Sequence, residues 1–467
     1  MKVRMPRFRW LATALFAALS VSGLAHMLQR ASVAMDFSQM EANVATATAS
    51  ITDTAFPISV SQNGRYLQDA NGRPFLLVGD AAWSLIVGLN REDVTLYLAD
   101  RRARGFNAIV VNLLEHVSPK NAYGQAPFLT AGSFNTPNEA YFEHADWVIR
   151  EATAQGFLIL LVPAYLGFNG GHEGWYQDML ASGPESLRHY GDYIGRRYGK
   201  LSNILWIQGG DYSPPQKYVV RVIADAIRAH NPNALQTAHN SPGYAGLDYW
   251  SGEPWLRVNT IYTYGPVYWP AAEQYARADH LPVILIRSAY EFEHGAMAHR
   301  IRTQAYQALL TGAAGQVFGN NPIWHFEKPG LYEAPMGWRE ALDSPGSRSM
   351  THLYNFFEQL PWWELEPDLG AHFLTSGAQD EQKRAVAALT ADRRLGIVYV
   401  PDARSISLDL QMLADKSVVA RWYDPRQGHF LATTGPIKGS GKKSHIFAAP
   451  AESSSEDDWI LVVQAQD

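Results

Sequence analysis

Residues 203–211 have the sequence NILWIQGGD, an apolar run that ends in two glycines and an aspartate. A short run of this kind, bounded by turn residues, is typical of a strand buried on both faces. Seven similar runs occur between residues 57 and 363, separated by amphipathic segments with helix signals. Eight such units in about 260 residues predict a TIM (β/α)8 barrel rather than an open sheet. The predicted strands are residues 75–79, 108–112, 158–163, 204–209, 235–239, 258–262, 283–286 and 316–319.

The pattern changes after residue 363. Short apolar or alternating runs, separated by turn residues, predict a C-terminal antiparallel β-sandwich domain. The predicted domains are a barrel at residues 57–365 and a sandwich at residues 366–467. The acidic, Ser-rich stretch 452–458 is interpreted as a solvated loop. The predicted sandwich strands are residues 386–390, 395–400, 406–410, 418–423 and 459–463.

The first 25 residues have the pattern of an export signal. Lys2, Arg4, Arg7 and Arg9 precede an apolar run over residues 10–24. This run is short for a membrane span of about 20 residues, but no strong Ala-x-Ala cleavage site follows it. A cleaved signal peptide and an uncleaved N-terminal membrane anchor therefore both remain open. Either one predicts an exported protein, periplasmic or extracellular, with a linker at residues 26–56.

Composition excludes several classes of function. The 467 residues carry a formal charge of −6, so nucleic acid is not an expected partner. Cysteine is absent, which excludes disulfides, thiolate metal sites and Cys nucleophiles. The 15 histidines lack the spacing of a His-Glu-x-x-His zinc site. We expect a monomer without a catalytic metal or cofactor.

The carboxyl ends of the predicted strands carry the candidate functional residues, because TIM-barrel active sites lie at that face. Amides and carboxylates there would hydrogen-bond sugar hydroxyls, and aromatic rings would cover the apolar faces of sugars. This mixture predicts a carbohydrate, an oligosaccharide or polysaccharide, as the ligand. Each candidate has an alternative role as a packed wall residue of the barrel mouth. The predicted ligand contacts are Asp80, Trp83, Asn112, Tyr165, His239, Tyr262 and Trp324.

Asp211 is the best candidate for acid catalysis. Cleavage of a glycosidic bond usually requires one carboxyl group that protonates the leaving oxygen and a second that acts as nucleophile or activates water. Asp211 ends the fourth predicted strand behind two glycines, which would let substrate or backbone approach closely. Its alternative role is to cap the helix that begins near Pro214.

Three motifs carry a family resemblance: residues 75–83 (FLLVGDAAW), 206–211 (WIQGGD) and 282–293 (PVILIRSAYEFE). Together they resemble the apiosidase-like glycoside hydrolases of family 140 over residues 57–363. The remainder resembles the collagen-binding-type β-sandwich module that follows this barrel in the same architecture. The resemblance implies a retaining glycosidase barrel with Asp211 at the position of the general acid/base.

Strand seven departs from the family pattern. Relatives carry a nucleophilic Glu where this sequence has Arg287. A guanidinium stays protonated and has no lone pair with which to attack a sugar. An Arg beside Asp211 would also favour the ionised carboxylate and make it a poorer acid. Three explanations are open: the nucleophile has moved to Glu291, Glu293 or Glu115, the protein is an inactive relative, or this position is altered in this particular chain.

Glu291 is the preferred substitute nucleophile, because a loop four residues beyond Arg287 could return it to the barrel mouth. An equally supported alternative is that Glu291 orients a sugar or pairs with Arg287. Two functional hypotheses follow. The first is an exported glycoside hydrolase acting on a plant or bacterial polysaccharide, with Asp211 as general acid/base and Arg287 at the altered nucleophile position. The second is a catalytically inactive glycan-binding protein on the same fold.

Overall fold

The computed structural model describes residues 54–327, 333–414, 417–438, 444–450 and 457–466. The predicted signal or anchor, and all but the last three residues of the predicted linker, lie outside the described residues. No helix in the described ranges is long and apolar enough to cross a membrane.

The predicted TIM barrel is confirmed. Eight parallel strands follow one another in the hydrogen-bonded order β8-β7-β6-β5-β4-β11-β10-β9. They are β4 (Leu77–Ala81), β5 (Ala108–Asn112), β6 (Leu158–Val162), β7 (Ile204–Gly209), β8 (Leu235–His239), β9 (Asn259–Tyr262), β10 (Val283–Arg287) and β11 (Gly315–Phe318). A small antiparallel sheet precedes them, formed by β1 (Ser59–Val60), β2 (Leu67–Gln68) and β3 (Pro74–Phe75). The first barrel strand therefore begins two residues later than predicted, because Phe75 pairs with Leu67 of the small sheet.

Backbone and side-chain hydrogen bonds close the barrel between β8 and β9, which are not neighbours in the continuous ladder, and the Arg257 backbone N–H donates to the Gln236 carbonyl at 3.0 Å. The Thr237 hydroxyl donates to the Val258 carbonyl at 2.7 Å, and the Thr260 hydroxyl donates to the Ala238 carbonyl at 2.5 Å. These bonds satisfy two backbone carbonyls at the junction of β8 and β9.

Helices cover the outside of the barrel, as the alternating sequence pattern predicts. They are α1 (Leu85–Gly88), α2 (Arg91–Ala103), α3 (Glu139–Ala154), α4 (Tyr176–Tyr198), α5 (Tyr218–His230), α6 (Gly246–Trp250), α7 (Tyr268–Ala276), α8 (Ala298–Leu310), α9 (Trp338–Ala341) and α10 (Pro345–Glu358). Asn90 caps the N-terminus of α2, where its side chain accepts from the backbone N–H of Asp93 at 3.0 Å.

The barrel interior is filled by alternate residues of each strand, as the two-residue repeat of a β-strand requires. On β4 the inward residues include Leu77 and Ala81, and on β10 they are Ile284 and Ile286. This alternation decides which residues at a strand end reach the barrel mouth and which point toward the helices.

The C-terminal region is an antiparallel sandwich, as predicted. A seven-stranded sheet contains β12 (Leu365–Pro367), β14 (Val386–Thr390), β15 (Leu395–Val400), β17 (Ser417–Asp424), β18 (His429–Phe430), β19 (Thr434–Lys438) and β21 (Trp459–Ala465). A three-stranded sheet contains β13 (Leu374–Ser376), β16 (Ser405–Leu408) and β20 (His445–Ala448). The two sheets share one apolar core that includes Trp459, Leu461 and Phe447.

Helix α8 joins the sandwich to the barrel. Arg302 forms a two-pronged ion pair with Asp458, at 2.7 and 2.9 Å, and the Tyr399 hydroxyl donates to the same carboxylate at 2.9 Å. Arg302 and Asp458 are 7% and 0% exposed. The interpretation of residues 452–458 as a solvated loop is therefore wrong for Asp458, because a partner 156 residues earlier in the chain pairs with it.

Candidate active site

A cleft of about 770 Å³ opens at the carboxyl ends of the barrel strands. Its aromatic walls include Trp83, Tyr165, Phe168, Tyr264, Tyr290 and Trp324. Its charged lining residues include the carboxyl groups of Glu115, Glu173, Asp211 and Glu293 and the guanidinium groups of Arg287 and Arg300. The predicted rim of carboxylates and aromatic rings therefore forms one cavity of a size that suits small ligands.

The two glycines before Asp211 allow an unusual turn at the end of β7. Gly209 and Gly210 have φ angles of 88° and 135°, which side chains rarely tolerate. A Cβ on Gly210 would lie 2.3 Å from Cδ2 of Tyr165. Asp211 itself has a φ of 50°, in the left-handed region where aspartate is among the better tolerated residues. The turn directs the Asp211 carboxylate into the cleft.

Asp211 is held by groups from three other strands. Oδ2 accepts hydrogen bonds from the Tyr165 hydroxyl at 2.7 Å and from Nη1 of Arg287. Oδ1 lies 3.3 Å from Nε2 of His239. The Asp211 side chain is 3% exposed and that of Arg287 is 18% exposed, so the ion pair lies at the bottom of the cleft.

These neighbours keep Asp211 ionised. Burial is the largest single effect and would raise the pKa of Asp211, but the Arg287 guanidinium, His239 and the Tyr165 and Tyr262 hydroxyls together outweigh it and lower the pKa. Burial also lowers the pKa of His239 to about 4, despite the nearby Asp211 carboxylate. At neutral pH the floor of the cleft therefore holds a carboxylate, a guanidinium and an uncharged imidazole.

A strand irregularity brings Arg287 to the cleft. Ile284 and Ile286 point into the barrel, so strict alternation would turn residue 287 outward. The pairing of β10 with β9 shifts register between Leu285 and Arg287, and a bulge of this kind re-aims the next side chain. The guanidinium lies 5.4 Å and 5.1 Å from the ring centroids of Tyr262 and Tyr290.

Glu291 does not face the cleft, so the prediction that it replaces the nucleophile is wrong. Its side chain is fully buried and accepts from the Ser344 hydroxyl at 2.6 Å, the Gly346 backbone N–H at 2.6 Å and the Asn320 amide at 2.9 Å. Ser344 caps α10, and a carboxylate stabilises such a helix N-terminus. Tyr290 points into the barrel, and alternation turns Glu291 the other way.

The prediction that Asp80 contacts the ligand is also wrong. Leu77 and Ala81 of the same strand are inward residues, so Asp80 points to the helix layer. There it accepts from the Tyr97 hydroxyl at 2.8 Å and lies 3.4 Å from Nη1 of Arg101, both on α2. The Asp80 side chain is fully buried and supports the attachment of α2 to the barrel.

The other predicted contacts divide into two layers. Trp83, Asn112, Tyr165 and Trp324 line the cleft, whereas His239 and Tyr262 do not. His239 stacks on Trp83 with ring centroids 5.5 Å apart, and the Tyr262 ring lies 5.0 Å from His239. Both residues are almost fully buried and pack beneath residues that line the cleft, and a direct contact of either one with ligand stays a prediction.

Glu293 and Glu115 remain as second carboxyl groups in the cleft. Glu293 accepts from the Trp324 indole N–H at 2.7 Å, and burial raises its pKa. Glu115 accepts from the Ser84 hydroxyl at 3.0 Å and the Asn112 amide at 3.2 Å. Glu293 and Glu115 are both among the alternative nucleophiles considered from the sequence. The sequence did not predict that Phe168 and Glu173 line the cleft. The glycine-rich stretch 167–174 could have indicated a loop that folds over the cleft.

The described residues contain no cluster of three or more His, Asp or Glu side chains suited to a metal ion. The site is built from carboxylates, guanidinium groups and aromatic rings on a TIM barrel. Such a site defines a glycoside hydrolase-like protein.

Comparison with known families identifies the chain more closely. Residues 61–364 match the model "Apiosidase-like, catalytic domain", and the chain belongs to this family. Residues 370–464 match the model "Putative collagen-binding domain of a collagenase". The resemblance drawn from the three sequence motifs is confirmed at this level. No match was found among curated proteins.

Solved structures show the same architecture. One described as a glycoside hydrolase is 25% identical and aligns over 88% of this chain and 98% of its own, with a TM-score of 0.76. A family 5 glycoside hydrolase from Bacteroides vulgatus ATCC 8482 is 24% identical, aligns over 88% of this chain and 94% of its own, and has a TM-score of 0.78. Both alignments are long enough to include the barrel and the sandwich.

Proposed function

We propose that this protein binds a glycan in the barrel cleft and does not hydrolyse it by the retaining mechanism. The observation that carries the proposal is the ion pair between Arg287 and Asp211. A retaining glycosidase needs a nucleophilic carboxylate and a second carboxyl group that donates a proton. Here a guanidinium stands at the position that the resemblance gives to the nucleophile, and Asp211 has a lowered pKa that favours its ionised form.

The cleft keeps the features that bind sugar. Trp83, Tyr165 and Trp324 present aromatic walls, and the amide of Asn112 and the carboxylate of Glu115 offer polar groups to hydroxyls. The side-chain oxygen of Asn112 is buried without a protein hydrogen-bond partner. The proposed ligand is a plant or bacterial polysaccharide encountered outside the cytoplasm, as the N-terminal sequence predicts.

Hydrolysis is the second candidate, and Glu293 is the observation that favours it. The raised pKa of this cleft carboxyl suits a general acid, the role that the family resemblance gives to Asp211. In that case the ionised Asp211 or Glu115 would activate water instead of protonating the leaving group.

Binding is tested by affinity electrophoresis and calorimetry of the full-length protein with pectin and with xanthan. Phe168 lines the cleft and is 51% exposed, so Phe168→Ala should weaken binding by about tenfold without loss of folding. Leu96→Ala is the matched control, since Leu96 is 44% exposed on α2 outside the cleft. If the wild type and Phe168→Ala bind the polysaccharides with equal affinity, the cleft is not the binding site.

Catalytic competence is tested by a pair of substitutions at one position. Arg287→Glu and Arg287→Gln both remove the ion pair, but only Arg287→Glu supplies a nucleophile. We expect hydrolysis of a bound polysaccharide by Arg287→Glu alone, and its loss on adding Asp211→Asn. Wild-type hydrolysis that disappears in Glu293→Gln would instead establish the hydrolytic candidate.

A further inference from the structure

Exposed apolar side chains are concentrated on the face that holds the cleft. Among the described residues, large apolar side chains that are more than a third exposed occur mainly in segments that leave the carboxyl ends of barrel strands. Leu129, Phe168, Tyr244, Tyr264, Trp269 and Met297 belong to this group. The loops around the cleft therefore offer apolar contacts to a ligand that extends beyond it.

Trp269 is the most exposed tryptophan among these side chains, at 55%. It lies in the first turn of α7, where Arg384 from the segment before β14 covers it. The Arg384 guanidinium lies 4.0 Å from the Tyr268 ring centroid and 4.7 Å from that of Trp269. Because more than half of the Trp269 surface remains accessible, the ring presents a free area to solvent.

The Arg384 side chain is itself fixed. Nη1 donates to the Asp380 carboxylate at 3.0 Å and to the Gln379 carbonyl at 3.2 Å. Its own carbonyl accepts from the Gln307 amide of α8 at 3.0 Å. Trp269 is therefore held in place by a cation–π contact before any ligand arrives, which reduces the entropy lost on binding.

Trp269 is also connected to the cleft by a short, fixed loop. Tyr264 lines the cleft and is five residues before Trp269, so their Cα atoms are at most about 18 Å apart. The Gln304 amide of α8 donates to the carbonyls of Tyr264 at 3.3 Å and Gly265 at 2.8 Å. One glycan chain could contact both aromatic rings.

We propose that Trp269 is a second sugar-binding platform, used by a polysaccharide chain that leaves the cleft past Tyr264. This inference rests on the proposed function and specifies its ligand as a long glycan chain rather than a short sugar. A flat ring beside the Arg384–Asp380 ion pair suits a sugar, which has both an apolar face and hydroxyl groups. A membrane surface would require a broader apolar face rimmed by cations.

The test compares chain lengths. The affinities of the full-length wild type, Trp269→Ala, Trp269→Phe and Ile446→Ala are measured for pectin, for xanthan and for short oligosaccharides from each. Trp269→Ala should weaken polymer binding by about tenfold and leave oligosaccharide binding unchanged, with Trp269→Phe restoring most of the loss. Ile446→Ala is the control, since Ile446 is 68% exposed in the sandwich.

The outcomes are distinguishable. If the wild type binds neither polymers nor oligosaccharides, the proposed function fails and the second platform fails with it. If the wild type binds polymers and Trp269→Ala binds them equally well, only the second platform is overturned. Cosedimentation of the wild type with phosphatidylethanolamine–phosphatidylglycerol vesicles, abolished by Trp269→Ala, would overturn it in favour of a membrane contact.

Discussion

Arg287 at the end of β10 donates a hydrogen bond to Asp211 behind the end of β7, across the mouth of the barrel. The family resemblance assigns these two positions to the nucleophile and to the acid/base. Here they neutralise each other, because the guanidinium lowers the pKa of the carboxyl that should donate a proton. In this structure the two side chains form an ion pair in a cleft with aromatic walls.

Asp211→Asn should destabilise the fold by about 3 kcal/mol, because it leaves the Arg287 guanidinium buried without a counter-charge. Urea denaturation measures this loss. Asp225→Asn is the control, since Asp225 and Arg228 form an exposed pair for which about 0–1 kcal/mol is expected. Equal losses in the two variants would contradict the description of a buried ion pair.

His239 should make stability fall as the pH is lowered from 6.5 toward 4. Its folded pKa of about 4 lies below the unfolded value near 6.5, so the unfolded state takes up the proton first. At about 1.4 kcal/mol per pKa unit, the full loss is roughly 3 kcal/mol. Urea unfolding of His239→Gln over this pH range should show a flatter pH dependence than that of the wild type, and an equally steep dependence would contradict the buried, uncharged imidazole.

Asp211 adds a second acidic dependence at lower pH. Its folded pKa is lowered, so its contribution is present above the unfolded value near 3.8 and is lost as the pH falls below it. The difference in unfolding free energy between the wild type and Asp211→Asn should therefore shrink below about pH 4. A difference independent of pH from 3 to 7 would contradict the ionised state of Asp211.

Glu291→Gln and Glu293→Gln should affect different properties, although the two positions are only two residues apart. The first should change stability and the second should change glycan affinity. Glu291→Gln places an amide donor among the Ser344, Gly346 and Asn320 donors, and should cost about 2–3 kcal/mol of stability. Glu293→Gln keeps an acceptor for Trp324 and should change glycan affinity instead. Thermal unfolding and calorimetry separate the effects. If Glu291→Gln is as stable as the wild type but loses glycan binding, the placement of Glu291 outside the cleft is contradicted.

Asp458→Asn should weaken the attachment of the sandwich by about 3 kcal/mol, because Arg302 is buried opposite it. Helix α8 also bonds the Ala289 backbone N–H through Gln304 at 3.1 Å, so hydrogen exchange at Ala289 should rise. Asp380→Asn is the control, since Asp380 is 79% exposed. Unchanged exchange at Ala289 would show that the sandwich does not support this wall of the cleft.

The barrel strands were predictable because parallel strands buried on both faces are continuous apolar runs. Strands β5, β7 and β8 have their predicted bounds, Ala108–Asn112, Ile204–Gly209 and Leu235–His239. The first barrel strand begins later than predicted because the start of its apolar run belongs to β3. The pairing of β3 with the small antiparallel sheet cannot be recognised from the local sequence.

Site residues were predicted less well, since a position at a strand end does not specify the direction of the side chain. Trp83 and Tyr165 reach the cleft, whereas Asp80 turns to α2. The pleat of the strand decides whether a side chain points into the barrel or toward the helices. A displacement of the strand by one residue exchanges these two directions. Sequence alone could not place Asp80, because its partners Tyr97 and Arg101 occupy a helix whose face is set by packing.

By itself, the sequence determined the eight apolar runs, the change to a sandwich, Asp211 at the end of the fourth strand and Arg287 at the end of the seventh. Tertiary structure decided that Arg287 pairs with Asp211, through a bulge in β10, and that Glu291 faces the N-terminus of α10. The physical reason is that composition and local periodicity specify burial. Side-chain direction and charge state depend on partners distant in sequence, which here are 76 residues away for Asp211 and 55 for Glu291.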